Sequence, residues 1–309
     1  MFKCNLCKNE KILEQSTVII CKKCGQKYNK INNLIDFIEE RNLNILEINS
    51  LQLWGQNLHD SKKQVPYHYI SIKENFNSEW NESLKGKILD LGCGSGQDIS
   101  YFNNLKNLKQ IIGIDIGKNI YDLANKYKEV FFIRSSALNI PLKSDYLDTV
   151  YSYGVIHHTK DPKKAFNEMF RILKKNGNLF MYLYSEHENN IIKFYGIKLE
   201  NFLRKFLNIL KNKYLKIIFI YILSFICWLL FTLPSYLLKL IRLKKFSKNI
   251  PMNWGTHPFS LVNDLKDRLL APYSKRYYLK EIRRILVGLN FEKVNIKYKS
   301  SGLYIHCKK

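Results

Sequence analysis

The segment ILDLGCGSGQ (88–97) constrains this chain more than any other. An apolar run that reads as a strand leads directly into glycines at 92, 94 and 96, and a helix is expected to start at once. Glycine accepts positive φ and lets a ligand approach the backbone closely, and the amides of a helix N-terminus are donors without partners. The segment therefore demands a strand–turn–helix unit, and such a unit needs neighbouring strands. The dinucleotide fingerprint G-x-G-x-x-G would place its third glycine where this chain has Gln97. Here the third glycine comes one residue early, giving G-x-G-x-G, with Asp90 two residues before the first. The next apolar run, IIGID, ends in Asp115, where a carboxylate can accept both hydroxyls of a ribose. Taken alone, the loop is also compatible with an ordinary tight turn of an α/β protein.

Its surroundings narrow the choice. Short apolar runs at 87–91, 110–114, 130–134, 148–153 and 179–184 alternate with helical stretches near 96–105, 117–127 and 161–175. Alternation of this kind predicts a parallel sheet covered by helices on both faces. Farther on, 275–289 reads as a helix, and 292–298 and 303–308 read as strands joined by a tight turn at Ser300-Ser301-Gly302.

Several motifs follow the glycine loop in order. The stretch SSALNIPLKSDYLDTVYSYGVIHHTKDP (135–162) contains Ile140-Pro141-Leu142, Leu147-Asp148 and His157-His158; EMFRILKKNGNLFMYLY (168–184) contains a helix, a Lys-x-Gly turn and a strand. Over roughly 85–185 the chain resembles the class I S-adenosylmethionine-dependent methyltransferases, of the type 11 group. The resemblance implies an α/β, Rossmann-like, seven-stranded, mostly parallel sheet, with S-adenosylmethionine as cofactor. It implies a cofactor site of Asp90, Gly92, Cys93, Gly94, Ser95, Gly96, Asp115, Ile116, Ser136, Ala137 and Tyr153. The family's adenine-contacting Asp aligns with Ser136, a departure that keeps a hydrogen-bond acceptor but loses the charge. Methyl transfer needs in-line alignment more than covalent help, and a base only where the acceptor must lose a proton. His157 and His158 are candidates for that base or for orienting the loop after the fourth strand; His68, Tyr184, His187 and His257 are weaker ones.

Cys4-x2-Cys7 and Cys21-x2-Cys24 can close a tetrahedral thiolate site, with Gly25 suited to the second knuckle. A segment of residues 1–38 has little core of its own, so a metal would supply much of its folding energy. Zinc is the expected ion, with rubredoxin-like iron as the alternative. The run CKKCGQKYNKINNLIDFIEE resembles the zinc ribbon attached to some methyltransferases and found in a methyltransferase activator protein. The site is expected to be structural. The remaining three of the seven cysteines are scattered, which argues against a disulfide framework and for a reducing, cytoplasmic setting.

Residues 187–249 interrupt the α/β scheme. Ile217 to Leu238 contains no charge over 22 residues, and a helix of that length reaches roughly 33 Å, enough to cross a bilayer core. Lys211, Lys213 and Lys216 precede it, and Lys239, Arg242, Lys244 and Lys245 follow. Ahead of it, Leu199, Phe202, Leu203, Phe206, Leu207 and Leu210 repeat at helical spacing, with Glu200, Arg204 and Lys205 on other faces. A single crossing would separate strands that belong to one sheet. The insertion is therefore expected to leave and return, as a re-entrant hairpin or an in-plane pair of helices, with a buried lid as the alternative. Pro234 is expected to kink or end the helix.

Four parts are expected: a ribbon at 1–38, a helical or irregular linker at 39–84 carrying Trp54, Tyr67, His68, Tyr69 and Trp80, a methyltransferase domain at 85–186 and 250–309, and the insertion at 187–249. The net charge of +24 favours polyanionic partners, although a general lysine bias would produce it too, since only nine of the 50 basic residues are Arg. Together these features point to methylation of a lipid, lipid-linked or other small-molecule acceptor at the cytoplasmic face of an anionic membrane. A ribosomal or transfer RNA methyltransferase is the alternative, and a non-catalytic cofactor-binding subunit the second.

Overall fold

The computed structural model of the chain describes residues 1–39, 68–187, 191–210, 212–247, 250–252, 257–299 and 301–309. Trp54, Tyr67, Lys211 and Ser300, with the rest of 40–67, lie outside the described residues. The chain divides into two compact units, Met1–Ser185 with Pro272–Lys309, and Glu186–Ala271.

The first unit is built on one sheet. Its buried, β-branched runs form the parallel strands β5 (Gly86–Leu91), β6 (Leu108–Asp115), β7 (Phe131–Arg134), β8 (Leu147–Tyr153) and β9 (Leu173–Leu183). Antiparallel β11 (Leu303–Lys308) lies between β9 and β10 (Glu292–Tyr298), with Leu303 opposite Leu183 and Tyr304 opposite Tyr182. The order β7-β6-β5-β8-β9-β11-β10 is the expected seven-stranded sheet. It reverses direction of growth at β5, and open α/β sheets bind ligands beside that point.

Four more strands extend it. β1 (Ile12–Glu14), β2 (Val18–Cys21), β3 (Lys27–Ile31) and β4 (Leu34–Asp36) form an antiparallel ribbon, and β4 then pairs in parallel with β7. The join is reinforced where Arg134 meets Asp36 at 3.0 Å, both side chains nearly buried. The cysteine module is thus the edge of the same sheet.

Helices α1 (His68–Asn75), α2 (Asn77–Ser83), α3 (Gln97–Asn103), α4 (Ile120–Lys126) and α5 (Pro162–Ile172) pack on its faces. α5 shows why: Ala165, Phe166, Met169 and Ile172 are buried along one stripe, Pro162 opens the first turn, and Asp161 caps Lys164 N–H at 3.0 Å. The helix stops at Ile172, short of the 175 expected. Leu173 already pairs with Leu147, and the strand passes through Asn176 at φ 63° and Gly177 before pairing again from Asn178. On the opposite face Trp80, Phe102, Tyr151 and Phe180 form a fully buried aromatic cluster.

The second unit is helical: α6 (Ile191–Ile209), α7 (Lys213–Cys227), α8 (Leu233–Leu240), α9 (Lys244–Ser247) and α10 (Val262–Leu270). Pro234 does not end the long helix. A π-turn over Trp228–Thr232 joins α7 to α8 immediately before it, so helical structure runs from Lys213 to Leu240. The wider turn accommodates the residue that lacks an N–H. The chain reverses later, at Arg242 with φ 64°. It then runs back along the helix: Ser235 Oγ meets Ser247 Oγ at 3.0 Å, Thr232 donates to the Met252 carbonyl at 2.8 Å, and Ser224 donates to the Pro258 carbonyl at 2.9 Å.

The apolar residues of this unit fall on two faces, one packed inward around Leu207, Ile220, Leu261, Leu265 and Leu269 and one exposed. On α6, Tyr195, Leu199, Phe202, Phe206 and Ile209 stand exposed in one stripe, while Glu200 and Arg204 point toward α10. Arg204 donates to the Arg268 carbonyl at 3.0 Å, and Arg268 lies 3.5 Å from Glu200 and 2.9 Å from Asp264. On the long helix Ile218, Ile222, Phe225, Leu229 and Leu230 are exposed, whereas Ser224, Thr232 and Ser235 are buried. Among the described residues this helix alone is long and apolar enough to cross a membrane.

Candidate functional site

At the end of β5 the chain makes the glycine loop, and each glycine has its own cause. A Cβ on Gly92 would come within 2.1 Å of Val155, and one on Gly96 within 2.5 Å of Leu123; both residues have positive φ. Gly94, at φ 51°, has open space in front of it, which is the place a ligand would take. Beyond the loop lies a cavity of about 270 Å³.

Its wall holds Asp90, Gly92, Cys93, Gly94 and Ser95 from the loop, Asp115 and Ile116 from the end of β6, Ser136 and Ala137 after β7, and Tyr153 from β8. Gly96 stands behind them as the left-handed start of α3. Asp115 is held by two amides: Gly94 N–H donates to Oδ2 at 2.8 Å and Gly117 N–H to Oδ1 at 2.7 Å. Burial raises the Asp115 carboxyl above its usual range against those hydrogen bonds. Burial, with Asp98 and Asp115 as like-charged neighbours, raises Asp90 much farther. Three acidic side chains, Asp90, Asp98 and Asp115, and one lysine, Lys160, line the space, and a cationic ligand would favour the ionised form of the raised carboxyls. Such a cavity suits a cationic ligand and is a poor match for a pyrophosphate.

Ser136 spends its hydroxyl locally, accepting from Leu138 N–H at 3.2 Å. His158 reaches the wall, its Nδ1 2.9 Å from the Tyr273 carbonyl. His157 does not line the cavity. It is fully buried, stacked on Tyr184 at 3.8 Å, with Nδ1 accepting from Tyr184 N–H at 3.4 Å. Burial, then the neighbouring His158 and Arg276, hold its imidazole well below the usual range, so it is neutral. His187 and His257 belong to the helical unit. The cavity also recruits Ile38, His68, Gln97, Asp98, Asn119, Leu138 and Tyr273. Gln97 and Asp98 adjoin the loop and were within reach of a motif reading; Ile38 arrives only because the ribbon joins the sheet.

At the ribbon, the sulfurs of Cys4, Cys7, Cys21 and Cys24 all lie within 4.8 Å of one another, with Cys4–Cys24 at 3.6 Å and Cys7–Cys21 at 3.5 Å. Thiolates about 2.3 Å from a tetrahedral centre are separated by about 3.8 Å, so the donor set and spacing fit zinc. Knuckle turns support both pairs: Lys8 N–H donates to the Cys4 carbonyl and Gly25 N–H to that of Cys21.

Comparison with known proteins agrees with this geometry. Residues 89–181 match the family described as "Methyltransferase domain". The ubiquinone/menaquinone biosynthesis C-methyltransferase UbiE of Campylobacter jejuni is 35% identical over 109 residues, 33% of this chain and 46% of that protein. The tRNA U34 carboxymethyltransferase of Campylobacter hominis is 28% identical over 132 residues, 36% of this chain and 45% of that protein. The chain thus spans less than half the length of either. Among solved structures, the YcgJ protein of Bacillus subtilis aligns with a TM-score of 0.36 and 22% identity, covering 44% of this chain and 59% of that one.

Proposed function

From the methyltransferase domain that residues 89–181 form, we propose that the chain is an S-adenosylmethionine-dependent methyltransferase acting on a lipid or lipid-linked acceptor at an anionic membrane. The observation that carries the cofactor is the cavity with three carboxylates beyond the G-x-G-x-G turn. Gly94 and Ser95 would face the amino-acid part of the ligand, Asp115 its ribose, and Ser136, Ala137 and Leu138 its base. When bound, S-adenosylmethionine supplies an electrophilic methyl group on a sulfonium. That cation would favour the ionised form of the buried Asp90 beside it, and the apolar wall of Leu91, Ile116 and Val155 would exclude water. Zinc at the four cysteines would be structural, fixing the ribbon that completes the sheet.

The membrane assignment rests on the exposed apolar face of the helical unit. Its outward face between Ile217 and Leu238 carries no charge, and Lys213, Lys216, Lys239 and Arg242 flank it. Each such cation contributes about 1 kcal/mol near an anionic surface. Because β9 and β11 pair directly, residues on either side of the insertion stay on one side of a bilayer. The unit would enter and leave by the same face, and the hydroxyls of Ser224 and Thr232 would satisfy carbonyls of the returning backbone, which hydrocarbon cannot. A nucleic-acid acceptor is the second reading, favoured by the charge of +24 and by the tRNA-modifying relative.

Calorimetry with S-adenosylmethionine and with NAD tests the cofactor. Binding of the first alone is expected, weakened by about 1–3 kcal/mol in Asp115→Ala; binding of NAD alone overturns the reading. Methyl-tritiated S-adenosylmethionine incubated with membrane lipids and, separately, with bulk RNA tests the acceptor. Label in the lipid extract is expected, and label in RNA alone transfers the assignment to the second reading.

A further inference from the structure

We propose that His68, oriented by Asp98, is the general base that accepts the acceptor's proton. The proposal rests on the methyltransferase reading above and adds a catalytic residue to that site. His68 opens α1 and forms part of the cavity wall beside Asp90, Gly94 and Tyr153. Its Nδ1 lies 3.4 Å from Asp98 Oδ2. Asp98 is itself fixed: it is almost fully buried, Tyr151 OH donates to Oδ2 at 2.9 Å, and Tyr69 N–H donates to Oδ1 at 3.2 Å. The imidazole lies flat on Tyr153, centroids 4.6 Å apart and planes 6° from parallel.

These contacts do two things. Asp98 favours the tautomer with the proton on Nδ1, which leaves Nε2 as an acceptor. Tyr153 prevents the ring from turning away. His157 offers neither, being buried outside the cavity, and His158 pairs Nδ1 with a neutral carbonyl. In the transfer step, the acceptor's electron pair forms the new bond to the methyl carbon, and the carbon–sulfur pair remains on sulfur. The acceptor's proton passes to Nε2 of His68 and then to water. One positive charge is lost at sulfur and one appears on the imidazole beside Asp98, so the cavity's net charge is conserved through the step.

Two measurements test this. Nitrogen-15 spectra of histidine-labelled full-length protein with S-adenosylhomocysteine should show His68 with the proton on Nδ1, and Asp98→Asn should lose that preference; a wild-type His68 protonated on Nε2 overturns the dyad whatever the acceptor is. Transfer of tritiated methyl into membrane lipids should fall about 100-fold or more in His68→Gln, with S-adenosylmethionine affinity changed less than about threefold and the rise of rate with pH abolished. A His68→Gln rate within about threefold of wild type, or a rate loss with the pH profile unchanged, also overturns it. If wild type labels no lipid, the acceptor reading fails, and the spectra still decide the dyad.

Discussion

The sheet unit and the helical unit differ in what they leave exposed. In the sheet unit, Leu89, Ile112, Val150 and Leu179 on the strands are fully buried, and charged groups such as Lys174 and Asp148 pair at its surface. In the helical unit, a core of Leu207, Ile220, Leu261, Leu265 and Leu269 is buried together with Ser224, Thr232 and Ser235, while Leu229, Leu230 and Phe225 are exposed. The first arrangement is what water selects. The second leaves a long series of large apolar side chains exposed, where a soluble monomer usually shows them singly. An exposed apolar face of this kind calls for an apolar partner or surrounding.

The sharpest way to break this contrast is to remove one side of it. Replacing residues 187–271 by a short Gly-Ser linker should abolish flotation with anionic vesicles and yield protein that is soluble without detergent. Cofactor affinity should stay within about twofold, because the cavity lies wholly in the other unit. Full-length protein that fails to float at low salt would refute the contrast outright.

A smaller effect is expected from Cys21→Ser combined with Cys24→Ser. Elemental analysis should show zinc falling from one per chain to none, and the melting temperature of the sheet unit should drop by about 5–10 °C. Flotation should not change. Unchanged zinc would place the metal elsewhere.

The smallest is a pH effect confined to the sheet unit. Burial, chiefly, holds His306 down to about 4; its ring stacks on Phe180 at 4.5 Å and its Nε2 lies 3.0 Å from Asn178 Oδ1. Above about 6.5 the imidazole is neutral folded or unfolded. As pH falls from there toward 4, the unfolded chain takes up a proton that the folded one refuses, so stability present at neutral pH is lost. After allowance for partial exposure, about 1–2 kcal/mol should disappear. Chemical denaturation at pH 7 and 4.5 measures it, and His306→Phe should lose that part of the difference.

Much of the sheet unit was legible because its signals are local. Asp90, the three glycines and Asp115 lie within 26 residues of one another, and their chemistry follows from spacing. The two cysteine knuckles are equally local. What escaped depends on distant partners. Nothing in Leu34-Ile35-Asp36 announces a parallel pairing with Phe132-Ile133-Arg134, which is what carries Ile38 into the cavity. His68 was only a weak candidate because Asp98, which orients it, is 30 residues away. Glu200 and Arg204 read as a wet face by helical spacing; Asp264 and Arg268 on another helix turn them inward. Pro234 is a helix breaker by composition, and only the π-turn before it explains why the helix continues.

The placement of β11 has a consequence for synthesis. The strand follows the helical unit in chain order yet sits between β9 and β10, against strand residues made before that unit. On a ribosome, therefore, the whole apolar excursion emerges while the sheet is still open along β9. The helices are made while the sheet still lacks its last two strands, and β11 closes it afterwards. Among the described residues every one that lines the cavity except Tyr273 is made before the helical unit, so the late strands finish the sheet and not the pocket.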